Sequence, residues 1–210
     1  MLILHDDAPH VVGLDTGLTC TGLATAGRVM RTARIGRKGV TLLPLADRVE
    51  AIMGLGESIL DQAHLTPDEA PPRHPMAWHR PHLVMLEAPE TSSAFGGLVE
   101  RIQLFHEITR SLIAARVPFA TVPSAILKGY GTGSGGVDPR KKRVMAAVRE
   151  LWPEYGVLND DESDAVVLAA MGLDKLTGRR RVPDARSADW LSRTSIQWPV
   201  DLPKGPWIRT

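Results

Sequence analysis

The stretch HVVGLDTGLTCTGLATAG, residues 10–27, holds an apolar run over 11–14, an acid at Asp15, and then a turn rich in glycine and threonine. A second small, β-prone run follows over 20–25. Ala26 and Gly27 suit a hairpin turn, and RVMRTARIG beyond them alternates as a third strand would. The reading is three antiparallel strands, with a carboxylate at the end of the first.

Beyond Pro44 the period changes. Leu45, Val49, Ile52, Gly56, Ile59 and Leu60 fall on one helical face, with Pro44 near its start. DEAPPRHPMAWHRP is a proline-rich loop, and HLVMLEAPE is a buried strand ending at Glu87. Leu98, Ile102, Phe105, Ile108 and Leu112 define a second amphipathic helix, with Leu104 turned toward another side. VPFATVP is a fifth strand, residues 129–136 form a glycine-rich loop, and a helix runs over about 139–151. The order β-β-β-α-β-α-β-α-α implies an α/β fold. Its mixed sheet is parallel in its second half and covered by helices on both faces.

The last helix carries VLNDDESDAVVLAAMG, residues 157–172, with four acids among residues 160–164. Asn159 or Asp160 is a good N-cap, and acids suit a first turn. Capping accounts for Asp160 and Glu162. It does not account for Asp164, which shares a face with Asp161, Leu168 and Met171 and so points to the buried side. Asp15 and Glu87 end strands of one sheet, where ligands of open α/β sheets collect. A helix packed across that edge brings Asp161 and Asp164 to the same place. Four ionised carboxylates together need a cation, and hard oxygen ligands suit Mg²⁺ or Mn²⁺. Two such ions about 4 Å apart are a recurring device for phosphodiester hydrolysis.

Composition sets mild bounds. The 210 residues suffice for one well-cored domain, and 43% hydrophobic with 23% charged content is ordinary for a soluble protein. The formal net charge of +1 means that any basic surface is local. A lone cysteine, Cys20, excludes an internal disulfide and argues against a cysteine-rich zinc site; it reads as a half-buried strand residue. The opening MLILHDDAPH is too short in apolar residues for a signal peptide, and no run reaches membrane-spanning length, so a cytoplasmic protein without membrane contact is expected. His74, His79 and His82 have no acid or cysteine to complete a metal set and are expected to be exposed in their loop. GTGSGG fits G-x-G-x-x-G but does not directly follow a strand, so it is read as a loop that lets DNA approach rather than a nucleotide cradle.

In this order, VVGLDTGLTCTGLA, LVMLEAPE, VPSAILKGYGTG and DDESDAVVLAAMG resemble the RuvC family of Holliday junction resolvases, which have an RNase H-like fold. The resemblance covers residues 11–172 and implies a mixed five-stranded sheet flanked by helices on both faces. It also implies a homodimeric, Mg²⁺-dependent endonuclease of four-way DNA junctions, with two ions per site and Mn²⁺ as a substitute. Asp15, Glu87, Asp161 and Asp164 would be the catalytic metal ligands. Lys128 and Lys141 match lysines that flank the family's Gly-x-Gly loop, Lys142 is an alternative to Lys141, and Arg143 follows in the same basic run. These four would contact DNA, with Lys141 assisting catalysis by neutralising charge in the transition state.

The chain departs from the family pattern twice. Where some members carry a junction-wedging aromatic three residues after the strand-four acid, this chain has Glu90; Phe95 lies further on and could serve, or could cap the next helix. A C-terminal extension, residues 173–210, holds Trp190, Trp198 and Trp207 with eight Lys/Arg and four Asp/Glu. It reads as a strap whose tryptophans pack on the domain or on a partner subunit, ahead of a DNA-gripping tail. The resulting division is a nuclease domain over 1–172 and a basic extension over 173–210. Three other functions stand beside the resolvase: cleavage of other branched or flap DNA, a silent junction-binding scaffold, and an actin-like ATPase. The last needs a second lobe that 210 residues leave no room for. A silent binder gains nothing from four acids facing phosphate.

Overall fold

The computed structural model describes residues 8–27, 30–63, 80–89, 97–133, 141–178, 182 and 187–205. Strands β1 (Val11–Asp15), β2 (Thr21–Ala26) and β3 (Arg31–Ile35) form an antiparallel meander. Helix α1 (Leu45–Gln62) leads to β4 (Leu83–Glu87), and α2 (Leu98–Ala114) to β5 (Phe119–Val122). Four helices follow: α3 (Ser124–Thr132), α4 (Lys141–Leu151), α5 (Asp160–Thr177) and the short α6 (Ser187–Leu191). The sheet order is β3-β2-β1-β4-β5, and the β1–β4 and β4–β5 pairs are parallel. The mixed five-stranded sheet expected from the element order is therefore present. No described helix is long and apolar enough to cross a membrane.

Alternation along the strands divides the core into two layers. Val12, Leu14, Leu23, Val84 and Leu86 face α1 and α2, where they meet Ile52, Ile59, Leu104, Ile108 and Leu112. Val11, Ala24, Leu83 and Met85 face the other way, onto Ala165, Leu168 and Ala169 of α5. That second layer is built for close approach. A Cβ on Gly13 would stand 2.1 Å from the Ala165 carbonyl oxygen, and one on Gly22 only 2.0 Å from that of Asp161. Gly172 of α5 returns the fit, since a Cβ there would meet Val11 and Met85, each at 2.7 Å. Helix α5 thus rests backbone to backbone on β1 and β2.

Three helical readings need correction. Leu104 is fully buried among the residues facing the sheet, because the buried stripe of α2 runs Leu104, Ile108, Leu112; its exposed apolar residues are Val99 and Ile113. Leu45 is exposed, and α1 buries Ala51 and Leu55 beside Ile52, Ile59 and Leu60. Residues 124–132, whose glycines suggest a loop from 129 onward, are helical. Gly129 and Gly131 are there for close packing, against Trp190 and Val167, and the turn begins only at Gly133 with its positive φ of 65°. Residues 134–136 of the expected loop lie outside the described residues. His82 is half-buried rather than exposed, and its Nδ1 accepts from the His10 amide at 2.9 Å.

Gly13→Ala should be among the most damaging small substitutions in this chain. The added methyl meets backbone, which cannot rotate away, so we expect a loss of about 3 kcal/mol or more, read as a lower urea midpoint.

Candidate metal centre

The register explains why Asp15 and Glu87 meet. Leu14 pairs with Leu86 across β1 and β4, so the next residue of each strand is an acid. Asp15 follows Val11 and Gly13 in alternation, and Glu87 follows Leu83 and Met85. Both carboxylates therefore leave the sheet on the face that α5 covers. Past β1 the chain turns tightly. The Gly17 amide donates to Thr21 Oγ1 at 3.2 Å, and that hydroxyl donates to the Gly17 carbonyl at 2.8 Å.

Helix α5 supplies the other acids. Asn159 is its N-cap, with Oδ1 accepting from the Glu162 amide at 2.9 Å, while Glu162 Oε2 accepts from the Leu158 amide at 2.7 Å. Two of the crowded acids are thus accounted for by the helix start: Glu162 in the reciprocal cap, and Asp160 in the first turn. The remaining pair is aimed at the strand ends. Asp161 is fixed by its own carbonyl's contact with Gly22, and Asp164 is one residue ahead of the Ala165 contact with Gly13.

Asp15, Glu87 and Asp164 each bring an oxygen to within 4.8 Å of the others, a trio that could hold a divalent cation. Asp164 is buried, and the strand acids are half-buried. Asp161 lines the same pocket outside that trio, beside the thiol of Cys20. Cys20 sits one residue before β2 and accepts from Arg34 Nε at 3.2 Å. Burial and the Asp161 carboxylate together push its thiol pKa up.

Crowding leaves a mark on Asp15. Burial first, then a hydrogen bond with Glu87, then the charges of Glu87, Asp164 and Asp161 hold its carboxyl well above the usual range. A cation in the trio would offset that crowding and satisfy the same oxygens.

The pocket around the acids has a volume of about 510 Å³ and a mixed charge. Arg37, Arg101 and Lys128 line it together with the carboxylates, as does Ser124 from the start of α3. Of the sequence candidates, the four acids and Lys128 are brought together here. Arg143 is exposed on α4 and is not among the pocket residues. Lys141 and Lys142 begin α4, but their side chains, like Phe95, lie outside the described residues. Arg37 and Arg101 escape the sequence reading. Arg37 stands with Lys38 in a connecting segment and Arg101 in the first turns of α2, and only the fold brings the two arginines to the pocket.

No protein-family model matches the sequence, and no curated protein matches it. Solved structures do. A Thermus thermophilus RuvC structure is 16% identical, with a TM-score of 0.55, covering 80% of this chain and 96% of that one. T. thermophilus RuvC in complex with a Holliday junction substrate is 17% identical, with a TM-score of 0.52, covering 77% and 90%. The chain therefore has the RNase H-like fold of RuvC. At such identities the likeness establishes the fold, and the chemistry must be argued from the site.

The raised Asp15 pKa has a consequence for stability. The folded state holds a proton that the unfolded chain releases near 3.8, so Asp15's contribution is intact below that pH and is lost as pH rises toward the elevated folded value. We expect metal-free protein to be less stable at about pH 7 than at about pH 5, with Asp15→Asn reducing the difference. Mg²⁺ should raise the melting temperature of the wild type at neutral pH and have far less effect on Asp15→Asn. Thermal unfolding with Mg²⁺ or chelator reads both.

Proposed function

We propose that this chain is a divalent-metal endonuclease that cuts branched DNA, and four-way junctions in particular. The observation that carries the reading is the convergence of Asp15, Glu87 and Asp164 in a pocket that Asp161, Arg37, Arg101 and Lys128 also line. Acids without a cation would repel DNA, and cations without acids would merely bind it. Side by side they suit a scissile phosphate, held by the cations and presented to ions held by the acids. The RuvC fold, and the junction bound by the T. thermophilus protein, favour branched DNA over duplex.

In this reading Asp15, Glu87, Asp161 and Asp164 hold Mg²⁺, two ions per site, with Mn²⁺ able to replace it. The ions supply an activated water and stabilise the leaving oxygen. Lys128 fixes the phosphate, Lys142 and Arg143 guide the DNA flank, and Lys141 neutralises charge in the transition state. Phe95 is the candidate wedge between junction arms. Residues 1–172 carry the chemistry, and the extension over 173–210, whose first residues complete α5, adds a strap beyond Thr177.

Asp164→Asn should lower cleavage of a synthetic four-way junction by at least roughly a hundredfold while leaving junction binding intact or tighter, since it deletes a ligand and a repulsive charge together. Lys141→Ala should slow cleavage more than it weakens binding. Normal cutting by Asp164→Asn would remove the metal reading; a Lys141→Ala loss confined to affinity would make that lysine a phosphate contact only.

A homodimer completes the proposal. A four-way junction is nearly two-fold symmetric, and two matched nicks require two sites related by the same axis. Val99 and Ile113, exposed on one stripe of α2, offer an apolar contact on the helix that follows the Glu87 strand. Sedimentation at micromolar concentration should show a dimer, alone or on a junction. A monomer in both conditions that still makes paired nicks excludes it.

A further inference from the structure

The C-terminal extension packs on three elements around the pocket: β5, the Lys128 helix α3 and the acid-bearing helix α5. Gln197 exchanges two backbone hydrogen bonds with Thr121 of β5, at 3.1 and 3.0 Å. Ile196 is buried beside this bridge. Trp198 lies under Lys175 near the end of α5, with the ammonium 5.0 Å from the ring centroid. Trp190 of α6 covers α3, and a Cβ on Gly129 would be 2.5 Å from its ring. Arg193 stacks on that ring at 5.1 Å. One short segment thus touches the strand beside Glu87, the helix of Lys128, and the helix of Asp161 and Asp164.

Helix α3 needs such support. It has nine residues, two of them the interior glycines Gly129 and Gly131, which makes it a poor helix on its own. Packing holds it instead. Leu127 and Tyr130 are fully buried, and the Tyr130 hydroxyl donates to Asp174 at 2.5 Å. These contacts anchor one side of α3. Trp190 anchors the helix at Gly129, the residue after Lys128, whose side chain reaches the pocket. A glycine is required there because the ring lies against the helix backbone.

We propose that Trp190 is a positioning residue: seated on Gly129, it holds α3 so that Lys128 meets the DNA phosphate presented to the acids. This rests on the reading of Lys128 as a phosphate contact, and the experiment separates the two. Junction binding is measured against salt, with chelator present, for full-length wild type, Lys128→Ala, Trp190→Ala, Trp190→Phe and Gly129→Ala. Lys128→Ala should lower the slope of log affinity on log salt by about one. Trp190→Ala should lower it similarly while unfolding stays cooperative, and the double variant with Lys128→Ala should lower it no further. Trp190→Phe should keep most of the slope. Gly129→Ala lifts the ring while favouring the helix itself and should copy Trp190→Ala, so the inference stays testable if Trp190→Ala folds poorly. A lowered slope for Lys128→Ala with unchanged slopes for Trp190→Ala and Gly129→Ala overturns the positioning role alone. An unchanged slope for Lys128→Ala overturns the phosphate reading, and the positioning role with it.

Discussion

Helix α5 lies on β1 and β2 with nothing but hydrogen on two strand residues between the backbones. Gly13 meets the Ala165 carbonyl and Gly22 meets that of Asp161, at separations no side chain would permit. Those two contacts set the height of the helix above the sheet and its rotation about its own axis. Because Asp161 is itself a contact residue and Asp164 adjoins the other, the same two glycines decide where two acids stand relative to Asp15 and Glu87. A looser helix would leave the sheet covered but the carboxylates apart. The fit that excludes water from the core is also the fit that builds the site.

Such a site stores unfavourable electrostatics. Three carboxylates within 4.8 Å, one of them buried, are held by packing elsewhere: the Asn159–Glu162 cap, the α5 contacts with β1 and β2, and the parallel register of β1 and β4. The raised pKa of the Asp15 carboxyl is the imprint of that crowding. The cations that line the same pocket are a second answer. Arg37, Arg101 and Lys128 come from three separate segments, so the balance of charge in the pocket is a property of the tertiary fold.

That distribution explains what the sequence made readable. Strands with clean alternation or apolar runs, and acids placed at their ends, are local patterns; β1, β2, β3, β4 and β5 and the acids Asp15 and Glu87 follow from them. The N-cap of α5 was equally legible, and its failure to account for Asp164 was the clue to the site. Gly129 and Gly131 misled, because a glycine needed for close helix packing looks the same in sequence as one needed for a turn. Leu104 misled because α2 has apolar residues on more than one stripe, and only its partners in α1 and the sheet select which is buried. Arg37 and Arg101 carry no local pattern. Trp190 and Trp198 were recognisable as area that packs on the domain, yet neither Gly129 nor Lys175 could be named as their partners without the fold.

The division of the core into two layers bears on how the chain is made. Among the described residues, the helices that cover one face of the sheet, α1 and α2, precede β5 in the chain, so that layer can close as soon as β4 and β5 leave the ribosome. The other face must wait for α5, since residue 13 finds its partner only at residue 165. Until then Val11, Ala24, Leu83 and Met85 present an uncovered apolar surface on a half-built sheet. Pairing across so long a stretch of chain is slow, and an open sheet face invites association with other nascent chains. The glycines that make the finished molecule so tightly fitted also leave that face flat during synthesis, and the last long helix is what ends the exposure.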